Sequence, residues 1–281
     1  MTVVLFAALV SAAPVTSMSD QQLDAKIAEA HRLPAFPDRV DTLSRMFLGV
    51  PYGELPLGDG PGSPEPGPRW RVDSVDCQTY VETVLAMANA RSLDEAKNIL
   101  DDIRYKGPPA FMNRNHFTEA QWIPSNTEKG YITDEVPAID GRAPTETLVL
   151  NHAQWSKIPG LQRLADAGVP DGKFMVRYLP MDELRKRVRS IQPGTVIMVV
   201  REAAPDKVVR ISHMGFVIKG PDGWVVRHAT TGKQHAVIDE PFGEFVNKQT
   251  EYRKWPVAGF ALVLPVDASL RVSQIAKAAS N

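Results

Sequence analysis

The sequence predicts a single α+β domain in which N-terminal helices pack on an antiparallel sheet, with a long loop-rich insert between the two halves. Three observations lead there. Apolar residues recur at helical spacing through the first third of the chain, periodicity fails from Tyr105 to Tyr178, and strand signals with tight turns follow Met181. Helices first and an antiparallel run of strands afterwards is the α+β pattern. The 281 residues, 43% apolar and 23% charged, supply enough material for one large core.

Residues 1–17 read as an export leader, because an unbroken apolar run from Val3 to Val10 precedes the small residues Ser11 to Ala13. A membrane span needs about 20 apolar residues, whereas the apolar part of a leader needs roughly 7 to 15. Cleavage after Ala13 and cleavage near Ser17 both fit the pattern; the alternative to a leader is an apolar helix docked on the domain. An exported protein, periplasmic or secreted, with no integral membrane segment is the expectation, and residues 18–281 form the one domain.

Ser19 and Gln22 match a capping box, with Leu23, Ile27 and Ala30 behind them in helical register. A second helix runs from about Asp38 through Val40, Leu43 and Phe47, and Gly49 ends it. The tripeptide Pro51 to Gly53 follows. Pro56 to Pro68 holds five Pro and four Gly, a composition that forms neither helix nor paired strand. A third helix starts near Asp73 or Ser74, places Cys77 in its first turns and carries the stripe Tyr80, Val81, Val84, Leu85 and Ala88. A fourth opens on Ser92 and Glu95, with Leu93, Ala96, Leu100 and Ile103.

The insert, residues 105–178, reads as irregular apart from a short helix near Leu161 to Ala167. Met181 to Arg189 is a helix whose basic residues Arg185, Lys186, Arg187 and Arg189 form a solvated face. Strands follow at Thr195 to Val200, Ile211 to Ile218, Trp224 to Ala229 and Val257 to Leu264, the middle two joined as a hairpin.

Lys plus Arg total 32 against 33 Asp plus Glu, so the net charge of −1 offers no electrostatic footprint for nucleic acid or an anionic membrane. Cys77 is the one cysteine, which forbids an intrachain disulfide. Its place at a helix start favours an anion and lowers a thiol pKa, as a nucleophile requires. The competing reading is a small buried hydrophobe in step with Tyr80 and Val84. Histidines favour the nucleophile, because a reactive cysteine needs a base and the base needs an orienting partner. If the hairpin turns between Gly220 and Pro221, His213 stands opposite His228; if Pro221 and Asp222 are central, His228 is a diagonal neighbour on the same face. Cysteine, histidine and a polar residue in that order is the arrangement of papain-like enzymes.

These residues resemble a known family. The segments GVPYG (49 to 53), DCQTYVE (76 to 82), IQPGTVIMVV (191 to 200), HMGFVI (213 to 218) and RHAT (227 to 230) are similar, in order, to the signatures of the NlpC-type papain-like cell-wall cysteine peptidases. The flanking FLGVPYG, RVDSVDCQTYVE, RNHF and WIPSN resemble the branch called N-acetylmuramoyl-L-alanine amidase-like. Gln78, Thr79 and Tyr80 stand where most of the superfamily has Ser, Gly and an aromatic, a departure that fits this branch. The resemblance implies a papain-like fold with Cys77 as nucleophile, His213 as base and His228 orienting His213. It implies hydrolysis of the muramoyl-to-L-Ala amide in soluble peptidoglycan fragments, with no cofactor. The alternative is cleavage after γ-D-Glu by an endopeptidase of the same superfamily.

The resemblance also places Tyr52 in the cleft, and Asp76 faces the helix dipole. In the insert, Arg114, Asn115, His116, Trp122 and Asn126 read as a pocket wall, Arg114 as a fork for a carboxylate and Trp122 as a face for a sugar. Equally, these side chains knit the loop together. Two rivals remain: a zinc amidase, for which no tight ligand spacing among the histidines exists, and a noncatalytic wall-binding module.

Overall fold

The computed structural model describes residues 14–158, 161–164, 167–205 and 207–279. The apolar run expected of a leader lies outside them. Val15 is buried, and its N–H donates to the Met46 carbonyl, so the chain is docked from there onward.

Four helices come first: α1 (Asp20–His31), α2 (Phe36–Arg45), α3 (Cys77–Asn89) and α4 (Leu93–Arg104). α1 has the reciprocal Ser19 and Gln22 capping box, and Leu23, Ile27 and Ala30 are buried as their spacing predicts. α3 starts later than expected, at Cys77 itself, because Asp76 is the cap: its carboxylate takes the Thr79 N–H and the Thr79 hydroxyl returns the favour to the Asp76 N–H. At α4 the box is half formed. Ser92 accepts from the Glu95 N–H, but the Glu95 carboxylate takes the Arg91 N–H instead.

The insert is more regular than its sequence suggests. It contains α5 (Ile123–Glu128), α6 (Val136–Ile139), α7 (His152–Trp155), and strands β1 (Ile132–Asp134), β2 (Thr145–Leu150) and β3 (Gly172–Arg177). β2 and β3 form a separate antiparallel hairpin. Phe111, Phe117, Leu148, Leu150, Trp155 and Leu164 close a small core beside it. Among the described residues, the segment near Leu161 to Ala167, expected to be a helix, shows a 3-10 turn at Gln162–Leu164.

Then come α8 (Met181–Lys186), β4 (Val196–Arg201), β5 (Ile211–Gly220), β6 (Gly223–Ala229), β7 (Val237–Pro241), α9 (Phe242–Glu251), β8 (Val257–Pro265) and α10 (Ser269–Ala279). The main sheet has the order β1-β8-β4-β5-β6-β7, with every neighbour antiparallel. It is covered on both faces rather than one. Val196, Met198, Met214, Phe216 and Ile218 join the core built with α1 to α4, while Ile197, Val199, Val217 and Val226 meet Phe242, Phe245 and Val246 of α9. This alternation is the period-two pattern of strands, and it explains why β4 is buried at every position. Among the described residues no helix is long and apolar enough to cross a membrane.

Candidate active site

α3 brings Cys77 to the end of the sheet, and the backbone holds it there. Gly53 N–H donates to the Val75 carbonyl and Val75 N–H to that of Pro51, so the Pro51 to Gly53 segment runs beside the approach to α3. This places Tyr52 with Cys77 in one cleft of about 860 Å³, shared with Arg201, Ser212, His213, His228 and Glu240. The Tyr52 N–H donates to the His235 carbonyl, and the two rings lie 5.4 Å apart.

The hairpin adopts the register with Pro221 and Asp222 at its centre, pairing Phe216 with Arg227 and Gly220 with Gly223. His213 and His228 are therefore diagonal neighbours on the α9 face, not directly opposed. His213 Nε2 and His228 Nδ1 are 2.7 Å apart, and the Phe245 ring packs against both imidazoles. A bulge at Ser212 shifts the β4 to β5 pairing, Val199 meeting His213 and Val200 meeting Ile211. Bulges of this kind re-aim side chains near sites. The start of β5 is held by the insert, because the buried Glu119 carboxylate accepts the N–H groups of Arg210 and Ile211.

Behind His228 stands Glu240 of β7, whose Oε2 lies 3.2 Å from His228 Nε2 and whose other oxygen accepts from Lys248. Burial pushes the Glu240 carboxyl up, but the His228 and Lys248 contacts outweigh it and hold it below the usual value. An ionised carboxylate only accepts, so a neutral His228 carries its proton on Nε2 and presents Nδ1 as an acceptor. His213 then donates from Nε2, which leaves its Nδ1 lone pair available as a base.

Burial, and then the Asp76 carboxylate, pushes the Cys77 thiol up to about 12, against the opposing pull of the Met214 and Gln78 N–H groups. This corrects the expectation of a lowered thiol: the helix tip is present, but desolvation and an adjacent carboxylate outweigh its field. Burial and the neighbouring His228 push His213 down to about 3. At neutral pH the site therefore rests as thiol and neutral imidazole.

The insert residues divide. Asp76, Arg114, Asn115 and His116 line a second, smaller cavity of about 320 Å³ with Gln78, Glu82 and Arg104. Arg114 is no free carboxylate fork, since Asp59 at 3.2 Å and Glu65 at 2.6 Å already neutralise it. It fastens the Pro/Gly-rich loop. Asn115 donates to the Ile103 carbonyl, and His116 Nε2 sits 2.7 Å from the Phe111 carbonyl. Trp122 and Asn126 are fully buried, which corrects their placement on a pocket wall; Asn126 donates to the Ile103 and Trp122 carbonyls. Sequence reasoning missed Glu240, Arg201 and Lys248. The spacing of Phe242, Phe245 and Val246 after Pro241 marks α9, and with it Lys248.

Among the described residues, no group of three or more His, Cys, Asp or Glu side chains is arranged to hold a metal ion. The structure is similar to that of a Legionella pneumophila Philadelphia 1 protein, at a TM-score of 0.76 and 25% identity, covering 88% of this chain and 95% of that one. It is also similar in fold to a Bacteroides uniformis N-acetylmuramoyl-L-alanine amidase, at a TM-score of 0.63 and 21% identity, over 82% of this chain and 98% of that one. No curated protein matches the sequence. The family described as AmiA-like, N-acetylmuramoyl-L-alanine amidase-like, matches residues 42–252, a span that includes Cys77, His213, His228 and Glu240, and the chain belongs to that family.

Proposed function

We propose that the protein is a cysteine-dependent amidase of papain-like type that cuts the muramoyl-to-L-Ala amide of soluble peptidoglycan fragments after export from the cytoplasm. The observation that carries this reading is the line His213, His228, Glu240 in the same cleft as Cys77, with contacts of 2.7 and 3.2 Å. Cys77 Sγ attacks the amide carbonyl as its proton passes to His213 Nδ1. The imidazolium so formed is stabilised through His228 by the Glu240 carboxylate. The developing oxyanion lies at the tip of α3, where the Cys77 N–H is not consumed by the cap. His213 returns the proton to the leaving amine, and water then releases the muramoyl acyl group from sulfur.

The amidase choice among amides is supported by the family of the chain. The test is incubation of the purified protein with muramoyl tetrapeptide and identification of products by mass. Free sugar and intact tetrapeptide are expected, and none from Cys77→Ala. A muramoyl dipeptide product would replace this reading with a γ-D-glutamyl endopeptidase, and activity in Cys77→Ala would end it.

A further inference from the structure

Among the described residues five arginines are buried: Arg39, Arg104, Arg201, Arg210 and Arg227. Four of them face a carboxylate. Arg39 meets Asp267 at 3.0 Å, Arg104 meets Glu82 at 2.8 Å, Arg210 meets Glu146 at 3.6 Å, and Arg227 meets Asp239 at 2.6 Å. Arg201, 5% exposed, has no such partner among the described residues. Its Nε donates to Ser212 Oγ, its Nη1 to the carbonyls of Gln249 and Trp255, and its Nη2 to Gln249 Oε1. Every one of these acceptors is uncharged. A guanidinium has five N–H groups; four are used here, and one on Nη2 is left over.

A buried charge without a counter-ion is costly, and natural proteins rarely keep one without a use. Burial lowers the Arg201 pKa against an opposing pull from Tyr252, whose ring centroid lies 5.4 Å from the guanidinium carbon and supplies a π face but no carboxylate. The carbonyl end of α9 supplies only partial negative charge. The side chain lines the Cys77 cleft, where Arg201, Lys233 and Lys248 stand against a single lining carboxylate, Glu240, which His228 and Lys248 already occupy. The lining around Arg201 is thus short of negative charge, for the Asp76 carboxylate that faces Cys77 is engaged in the α3 cap.

We propose that Arg201 binds a carboxylate of the substrate peptide in the Cys77 cleft and so selects acidic over amidated peptides. The proposal rests on the muropeptide reading above. The amide to be cut carries no charge, so the anion comes from elsewhere in the peptide: the α-carboxylate of its γ-linked D-Glu or its C-terminal carboxylate. The chemistry recognised is the same, and amidating one or the other separates them.

The experiment is calorimetric binding of muramoyl tetrapeptide, its D-Glu α-amide and its C-terminal amide to the full chain carrying Cys77→Ala, alongside cleavage of the same three by wild type. One amidation weakens binding about 10- to 100-fold, the range of a hydrogen bond to a charged group, and so names the carboxylate. Adding Arg201→Gln makes acid and amide bind alike, and in cleavage raises KM more than it lowers kcat; Arg201→Lys keeps part of the acid preference. A merely structural Arg201 would not produce that convergence. Equal binding of all three ligands to protein that retains Arg201, or an acid preference that survives Arg201→Gln, overturns the proposal even where the other variants misfold. Cleavage that ignores amidation overturns it alone. Neither binding nor cleavage of any of the three overturns the muropeptide reading together with it.

Discussion

Gly215 faces His228 across the β5–β6 pair so closely that a Cβ built on it would lie 2.6 Å from the His228 Cβ and 2.8 Å from the Arg227 carbonyl oxygen. Neither neighbour is the flexible end of a side chain, so relief requires the strands to part. The glycine lies two residues after His213, on the same face of β5, and its missing side chain lets the β6 backbone and the base of the His228 side chain come this close.

Gly215→Ala therefore costs about 1–3 kcal/mol, the range for overpacking a filled site, and moves His228 away from His213. Activity on a muropeptide is expected to fall at least as steeply as stability. Melting curves and turnover measured on the same preparation check this; a variant with unchanged Tm and unchanged rate would show that the strands yield without cost.

The His213–His228–Glu240 line predicts a graded loss. Under the proposed mechanism, His228→Ala removes the partner of His213 and lowers kcat by about 10²-fold, the lower range for acid–base assistance, with residual activity because Cys77 and His213 remain. Glu240→Gln falls by less. Its amide can still sit beside His228 but no longer fixes the ring proton on Nε2 or balances the imidazolium. Rates from both variants, with circular dichroism to verify the fold, test the order; a Glu240→Gln variant more damaged than His228→Ala would reverse the roles assigned to them.

Much of this site was legible in the sequence because its signals are local. The Ser19 box, the α3 stripe and the period-two strands depend on neighbours a few residues away, and parity alone put His213 and His228 on one face. What the sequence left open was nonlocal. The turn at Pro221 and Asp222 decided the register only when the strands paired. Trp122 and Asn126 looked like pocket residues because nothing in the local pattern reveals that this segment of the insert is buried against the main core. Arg201 ends a strand like any surface arginine, and its isolation from carboxylates emerges only when α9 and the Trp255 segment close over it.

Protonation sets a pH window for stability. His213 is driven down to about 3 and His116 to about 4, both chiefly by burial, from an ordinary value of 6.5. Below pH 6.5 the unfolded chain gains protons that the folded one refuses, so stability is complete above 6.5 and declines as pH falls toward 3. At the alkaline end Cys77, raised from 9.0 to about 12, gives stability that is complete below 9 and declines above it. Denaturant titrations across pH should show both slopes, the acid one flatter in His213→Asn and the alkaline one flatter in Cys77→Ala. The same raised thiol predicts that alkylation of Cys77 by iodoacetamide keeps accelerating with pH past 9; a plateau near neutrality would mean a resting thiolate instead.

One turn beyond Cys77, the helix that carries it is fixed by a buried ion pair. Glu82 is 1% exposed and Arg104 is 4% exposed, with Nη1 and Oε2 2.8 Å apart. Gln78, the residue after Cys77, donates to the other Glu82 oxygen at 3.0 Å. The pair thus ties α3 to the end of α4 and, through Gln78, steadies the tip of α3. Removing one partner strands a charge away from water, which costs about 3–5 kcal/mol, whereas replacing both with apolar residues of similar volume is often neutral. Arg104→Met is expected to destabilise by that amount, and Arg104→Met combined with Glu82→Leu to recover most of it. The recovered double variant should still turn over slowly, because Gln78 has lost its anchor. Denaturation midpoints with parallel kinetics decide the matter: a double variant as active as wild type would confine the pair to stability, and one as unstable as Arg104→Met would show that the site cannot repack.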